Sequence, residues 1–339
     1  MNSEFHISIY YIGLLIATIF LSRFLFIYYI KYAKKYNLIK SANSGLVHKE
    51  NVFTAGGVVY AAVIMVAALV LDNLDFVEFS NFSPILATAI LIAVFGFYTD
   101  FLNVSIFSKC ILLTFLILML LYSNATLPII QNLYGFLGIY NIGFIPGLIV
   151  TSFVYLLIMS VISLTDKIEY YLAIFSIFFF TSLLYNFDVN EFYTLNSISV
   201  IIIGCSIMFL SYNFSNVIKL SLGAAGSLFI GFWISTFLIT YITSAPNSEL
   251  VKVYSIDIEN IPVIAISMIS IPVLDIIRVI MFRFFNKKPL FKADKSSLHH
   301  ILLDSGMTHF ITSLFLTLIN WFNCIIIFLV EQNFNSKQL

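Results

Sequence analysis

Long apolar stretches recur along almost the whole of this 339-residue chain. A helix that spans a membrane needs about 20 mostly apolar residues, and ten stretches approach that length. We therefore predict an all-α, polytopic integral membrane helix bundle that forms a single transmembrane domain over 1–339. The predicted spans are 7–30, 55–71, 84–98, 107–122, 146–163, 170–186, 195–213, 223–244, 261–281 and 309–330.

Composition excludes the main soluble alternatives. Charged residues make up 10% of the chain and hydrophobic residues 60%, whereas soluble domains carry about 25% charged residues. The three cysteines, Cys110, Cys205 and Cys324, lie far apart in or beside apolar stretches, so neither disulfides nor a zinc site is predicted. The many Phe and Tyr residues are interpreted as lipid-facing and interfacial, and no nucleic-acid partner is expected. Residues 123–145 leave two alternatives open, an interfacial hairpin or an eleventh span.

Basic residues set the predicted orientation. The first span has no Lys or Arg before it and is followed by KYAKKYNLIK, which is the reverse of a cleaved signal peptide. Because basic flanks mark the cytoplasm, the N-terminus is predicted outside. Of the 17 Lys and Arg residues, thirteen then lie inside or at inner span ends, Arg23 and Arg278 lie within spans towards their inner ends, and Lys252 and Lys337 lie outside. The predicted cytoplasmic loops, which would form the active-site face, are 31–54, 99–106, 164–169, 214–222 and 282–308.

Conspicuous polar segments gather on that face, which favours a cytoplasmic active site over a channel. In chain order they resemble the motifs of the polyprenyl-phosphate N-acetylhexosamine-1-phosphate transferases. That superfamily, glycosyltransferase family 4, includes undecaprenyl-phosphate GlcNAc-1-phosphate transferases and the MurNAc-pentapeptide phosphotransferase. The similar segments are Thr54–Gly57 (P-T-x-G-G), Gly96–Leu102 (G-x-x-D-D-x-x), Ser160–Glu169 (N-A-x-N-L-x-D-G-x-D), Leu222–Gly231 (M-G-D-x-G-S-x-x-x-G), Pro272–Arg278 (P-x-x-D-x-x-R) and Pro289–His300 (P-F-x-x-D-x-x-H-x-H-H).

Several motif positions depart from the pattern. One acid of the aspartate pair is Thr99, the aspartate of M-G-D is Ala224, and the first histidine of H-x-H-H is Ser297. The two asparagines are Ser160 and Ser163. These replacements weaken the expected metal site and count against full activity.

The resemblance implies an enzyme of the bacterial inner (cytoplasmic) membrane. It would transfer a phospho-N-acetylhexosamine, most simply of the GlcNAc type, from a UDP-amino sugar to undecaprenyl phosphate. The products would be a lipid-diphospho-sugar and UMP, which initiate a cell-envelope glycan. The alternative is an inactive relative that binds polyprenyl phosphate or a nucleotide sugar, or scaffolds envelope-glycan assembly. A transporter is disfavoured because the charges lie at span ends and not near the midplane.

The resemblance also implies a cofactor and partners, as well as roles for individual residues. The implied cofactor is Mg²⁺. The implied partners are polyprenyl phosphate, a UDP-amino sugar, the membrane and a second copy of the chain in a homodimer. Each of these residues also has a structural alternative. The acids could cap helices or form ion pairs, and the glycines could allow close helix packing. The histidines could belong to a basic loop that lies near anionic lipid. Asp275 and Arg278 are predicted to form an intramembrane pair. The expected catalytic residues are Asp100, Asp166 and Glu169, with Asp100 and Asp166 holding the metal. The expected substrate-binding residues are Asn213, Gly223, Asp294, Lys295, His299 and His300.

Overall fold

The computed structural model of the chain consists mainly of helices. It describes residues 2–40, 52–54, 56–74, 79, 82–102, 104–123, 129–135, 138–165, 170–186, 192–214, 219–244, 258–287 and 297–333. A pair of two-residue antiparallel strands, β1 (Ile39–Lys40) and β2 (Val52–Phe53), follows the first helix. The helices are α1 (Asn2–Lys35), α2 (Gly57–Asn73), α3 (Ser83–Phe101), α4 (Ile106–Tyr122), α5 (Phe144–Thr165), α6 (Tyr171–Asn186), α7 (Tyr193–Asn213), α8 (Gly223–Ser244), α9 (Ile261–Ser267), α10 (Ser270–Phe285), α11 (Leu298–Asp304) and α12 (His309–Asn333).

Each of the ten predicted spans overlaps helical structure. In the part of the chain that the structure describes, six helices are long and apolar enough to cross a membrane, namely α1, α3, α5, α7, α8 and α12. The bent pair α9 and α10 adds a seventh if it is one span, and α2, α4 and α6 are apolar but shorter. The structure therefore supports a multi-pass membrane protein. The count of ten spans and the outside N-terminus stay predictions.

Helix α8 forms the centre of the bundle. In the apolar 18-residue stretch of α8, 94% of the residues are buried, whereas 22% are buried in the corresponding stretches of α1 and α12. Glycines allow its neighbours to approach closely: a Cβ added at Gly57 of α2 would lie 2.0 Å from the Cα of Gly226. A Cβ added at Gly231 would lie 3.0 Å from the Cα of Met159 on α5. Only small residues permit such contacts. Gly226 and Gly231 therefore serve close helix packing, which was the structural interpretation of these glycines.

The segment 123–145 contains a hairpin in its described residues. Asn132 and Asn141 form an antiparallel bridge, and the Leu133 amide donates to the Tyr140 carbonyl at 3.0 Å. Within these residues the backbone hydrogen bonds mainly join two antiparallel segments of the chain. This arrangement favours the interfacial hairpin over an eleventh span.

Helices α9 and α10 meet at a sharp break, with a bend of 71° between the segments on either side. The buried side chain of Asn320, on α12, satisfies the backbone there. Its Oδ1 accepts hydrogen bonds from the Ile271 amide at 2.9 Å and the Ser270 hydroxyl at 3.2 Å, and its Nδ2 donates to the Met268 carbonyl at 2.8 Å. Since backbone groups at membrane depth need partners, Asn320 stabilises the bend.

Candidate active site

Backbone hydrogen bonds bring two of the sequence motifs together. The Phe53 amide donates to the Lys219 carbonyl at 3.1 Å, and the Ser221 amide donates to the Phe53 carbonyl at 2.9 Å. The Gly56 amide in turn donates to the Ser221 carbonyl at 2.9 Å. The motif that begins at Thr54 therefore lies beside the chain that leads from α7 into α8, although more than 150 residues separate them in sequence.

Asp100 joins the end of α3 to the start of α8. Its Oδ1 accepts a hydrogen bond from the Ala224 amide at 2.9 Å, and its Oδ2 accepts one from the Ala225 amide at 3.3 Å. The first amides of a helix have no partner within the helix, and a carboxylate at this position also interacts favourably with the helix dipole. Gly96, one turn earlier, permits the approach, because a Cβ there would lie 2.6 Å from the Cα of Ala225. In this structure Asp100 thus acts as a cap supplied by a neighbouring helix.

Asn213 and Gly223 shape the connection between α7 and α8. The Oδ1 of Asn213 accepts a hydrogen bond from the Leu220 amide at 2.9 Å, and its carbonyl accepts one from the Tyr170 hydroxyl at 3.0 Å. Gly223 has a φ of +68°, a conformation that glycine adopts without strain. These two expected substrate-binding residues therefore have visible structural roles, and their expected binding roles stay predictions.

His299 and His300 are buried on the short helix α11. Their ring centroids lie 4.1 Å apart, and His299 Nδ1 is 3.0 Å from the Ser297 hydroxyl. The same helix is tied to α10, because Asp275 Oδ1 accepts a hydrogen bond from the Leu298 amide at 2.9 Å. The same oxygen forms the ion pair with Arg278 at 2.8 Å, so the pairing predicted from their spacing is confirmed.

A cavity of about 430 Å³ opens where these helices meet. The C-terminal end of α5 and the N-terminal ends of α4, α6 and α8 line it, together with α10, α11 and part of α12. These four helix ends therefore lie at one end of the bundle, the end that the charge pattern predicts to be cytoplasmic. We call it the helix-end cavity. Eight specified motif positions line it: Ser160, Ser163, Leu164, Ala224, Pro272, Asp275, Ser297 and His299.

Three further polar residues line the helix-end cavity and were missed from the sequence: Lys109 on α4, Arg283 on α10 and Tyr171 on α6. Lys109 and Arg283 were counted only as evidence of orientation. Their position at span ends was the one sequence feature that could have pointed to a site. Every basic residue near the inner face has the same position, so it could not single out these two. The remaining walls are mainly apolar, so the cavity combines a cationic region with a hydrophobic one.

The structure tests the expected site only in part. His299 lines the cavity, and Asp100 does not line it but bonds to the amide of Ala224, which does. Asn213 and His300 are not among its lining residues. The expected residues Asp166, Glu169, Asp294 and Lys295 lie outside the described residues.

Comparison with known proteins gives a partial match. No family model matches the chain. A protein of Bacillus subtilis (strain 168), named probable undecaprenyl-phosphate N-acetylglucosaminyl 1-phosphate transferase, is 33% identical over 125 residues. The match covers 37% of this chain and 32% of that protein, so the chain matches about a third of that relative's length. This distant similarity supports the resemblance to the transferase superfamily.

The described residues of the cavity do not suit Mg²⁺, which proteins hold mainly through carboxylate and phosphate oxygens. Asp275 is the one carboxylate among the described lining residues, and its Oδ1 already accepts two hydrogen bonds. Both oxygens of Asp100 bond to α8, and Ala224 presents a methyl group where the family motif has an acid. The described chain contains no group of three metal-binding side chains. The expected Mg²⁺ would thus depend on Asp166, outside the described residues.

Proposed function

We propose that this chain is a phospho-sugar transferase of the bacterial cytoplasmic membrane, with its active site in the helix-end cavity. The observation that carries the proposal is that motif positions far apart in sequence line this one cavity, among them Ser160, Ala224 and His299. The partial similarity to the Bacillus subtilis protein supports the same reaction class. The proposed donor is a UDP-N-acetylhexosamine of the GlcNAc type, and the proposed acceptor is undecaprenyl phosphate.

The cavity chemistry suits the joining of two anions. In the proposed step an oxygen of the lipid phosphate attacks the β-phosphorus of the UDP-sugar. The bond from that phosphorus to the bridging oxygen breaks, and UMP leaves with the electron pair. Phosphoryl transfer depends on positioning and on neutralising charge, which Lys109, Arg283 and His299 can provide at the cavity wall. Apolar side chains such as Leu113 and Leu228 would hold the start of the lipid chain.

The expected acids take different parts in this proposal. Asp166 follows directly after Thr165, which lines the cavity, and we propose Asp166 and Glu169 as the catalytic carboxylates. Asp100 acts through α8, whose first turn it caps. It is therefore proposed as a positioning residue.

A second candidate function is binding without turnover. It is favoured by Ala224, which replaces an acid with a methyl group in the cavity, and by the engagement of both Asp100 oxygens. Such a protein would retain the lipid phosphate or nucleotide sugar and present it to other envelope-glycan enzymes.

One purified sample separates the two candidates. Full-length protein is incubated with radiolabelled UDP-GlcNAc and undecaprenyl phosphate, with Mg²⁺ in one arm and EDTA in another, and lipid-linked label is counted. Label that forms with the wild type and is lost in Asp166→Asn, but not in the exposed control Asp304→Asn, supports the transferase. Thermal stabilisation by the lipid phosphate without label supports the binder. The absence of both in folded protein would refute the proposal.

A further inference from the structure

Tyr171 carries a buried hydroxyl group with an unmet hydrogen-bonding need. The residue is 2% exposed and lines the helix-end cavity. Its hydroxyl makes no hydrogen bond in the described part of the chain. Buried tyrosine hydroxyls usually have a partner, and an unsatisfied buried polar group is costly. The hydroxyl is therefore a candidate donor for a ligand bound in the cavity.

The other polar side chains of the cavity identify the charge of that ligand. Lys109 and Arg283 bring two cations to the wall, and neighbouring hydroxyls come from Ser160 and Ser163. Among the described lining residues Asp275 is the one acid, and its Oδ1 is taken by Arg278 and the Leu298 amide. A described wall with two cations and one acid, and with hydroxyls that can donate, suits an anion.

The arrangement that suits an anion is unsuitable for a divalent cation. At the start of α8 the side chain in the cavity is the methyl group of Ala224, and the nearby Asp100 carboxylate holds the helix amides. We propose that the cavity binds the phosphate group of its lipid through Tyr171, Lys109 and Arg283, and that this binding requires no divalent cation. The proposal rests on the proposed function, since it specifies how that function's lipid is held.

The apolar walls favour a prenyl phosphate over free phosphate, although both carry the same anionic group. Leu113, Leu228 and Leu316 line the cavity beside the polar residues, and a hydrocarbon chain in contact with them gains free energy in proportion to the buried apolar area. Inorganic phosphate gains nothing from these walls.

The test compares binding of farnesyl phosphate, farnesol and inorganic phosphate to the purified full-length protein in detergent, with EDTA or with Mg²⁺. Farnesyl phosphate should bind with the same affinity in both conditions and more tightly than the other two probes. Tyr171→Phe should weaken its binding about tenfold, because a hydrogen bond to a charged group is lost. The same variant should not lower the melting temperature of the ligand-free protein, since it removes an unsatisfied hydroxyl. A purely structural role for Tyr171 would lower that temperature.

Tyr155→Phe is the matched control. Tyr155 is also fully buried, but its hydroxyl is 3.0 Å from the Thr236 hydroxyl and the residue does not line the cavity. This variant should lose stability and keep its affinity for farnesyl phosphate.

Several results would overturn the inference. They are binding that requires Mg²⁺, unchanged affinity in Tyr171→Phe, equal weakening in Tyr155→Phe, and farnesol or inorganic phosphate binding as tightly as farnesyl phosphate. Lipid-linked product that forms with Mg²⁺ and disappears with EDTA, together with farnesyl phosphate binding that is also lost in EDTA, would overturn it while leaving the proposed function intact. Failure of farnesyl phosphate to bind in either condition would refute this inference, and the proposed function would then fail only if turnover were also absent.

Discussion

Replacing Asp100 with alanine should loosen the start of α8. The substitution removes two hydrogen bonds, one at 2.9 Å to the Ala224 amide and a longer one at 3.3 Å to the Ala225 amide. Loss of a helix cap costs about 0.5–2 kcal/mol, and the lost interaction of the carboxylate with the helix dipole adds about 0.3–1 kcal/mol. Because the second bond is long, we expect the free energy of unfolding to fall by about 2 kcal/mol.

The effect is measurable as a shift in melting temperature. The unfolding entropy is about 2.1 cal/mol/K per residue, so a chain of 339 residues shifts by roughly 1.4 °C per kcal/mol. Asp100→Ala should therefore melt about 3 °C below the wild type in the same detergent, followed by circular dichroism. Asp100→Asn should show about half this shift, since its amide oxygen still accepts one bond but the charge is lost. Asp304→Ala is the control, because Asp304 is exposed at the end of α11 and such substitutions usually change stability by less than about 0.5 kcal/mol.

The reasoning has a clear point of failure. If Asp100→Ala melts with the wild type yet loses sugar-phosphate transfer, the carboxylate serves the substrate or a metal ion and not the helix. A shift in Asp304→Ala as large as that in Asp100→Ala would show that the assay reports surface charge and not the cap.

Three further predictions concern packing, the helix bend and orientation. Gly57→Ala should prevent recovery of folded protein in size-exclusion chromatography, because its Cβ would lie 2.0 Å from a backbone atom of α8 and even moderate overpacking costs about 1–3 kcal/mol. Gly13→Ala, which meets nothing within 4 Å, should be neutral or stabilising, and equal yields would contradict the argument. Asn320→Leu should lower the free energy of unfolding by about 2 kcal/mol, because it removes three hydrogen bonds of about 0.6 kcal/mol each. The exposed control is Asn73→Leu. An unchanged melting temperature in Asn320→Leu, or an equal loss in the control, would contradict a specific role of Asn320 at the bend. A cysteine at Ser305 in a cysteine-free background should react with an impermeant maleimide only after permeabilisation, and labelling in intact cells would reverse the predicted orientation.

The sequence was sufficient to locate the helices and part of the local pairing. Apolar stretches of nearly span length are a strong signal, and each of them falls on helical structure. Asp275 and Arg278 were also predictable as a pair, because residues three apart share a helix face. These inferences depend only on neighbours along the chain.

Contacts across the fold were not predictable in the same way. The partners of Asp100 are backbone amides more than 120 residues away, and no residue type marks an amide as available. Asn320 looked like one polar residue within an apolar span, because its role depends on a break in a different helix. Lys109 and Arg283 resembled every other cation near the inner face, so only the cavity distinguishes them.

The contact between Gly57 and Gly226 constrains α2 and α8 more tightly than packing constrains α10. Where two helices touch through backbone, no rotamer change can absorb a displacement, so α2 and α8 cannot slide past each other without separating. Helix α10 is held quite differently: among its side chains only Pro272 is buried, and its upstream end is a break secured by Asn320. The wall that α10 contributes to the cavity is therefore less constrained by packing than the wall that α8 contributes.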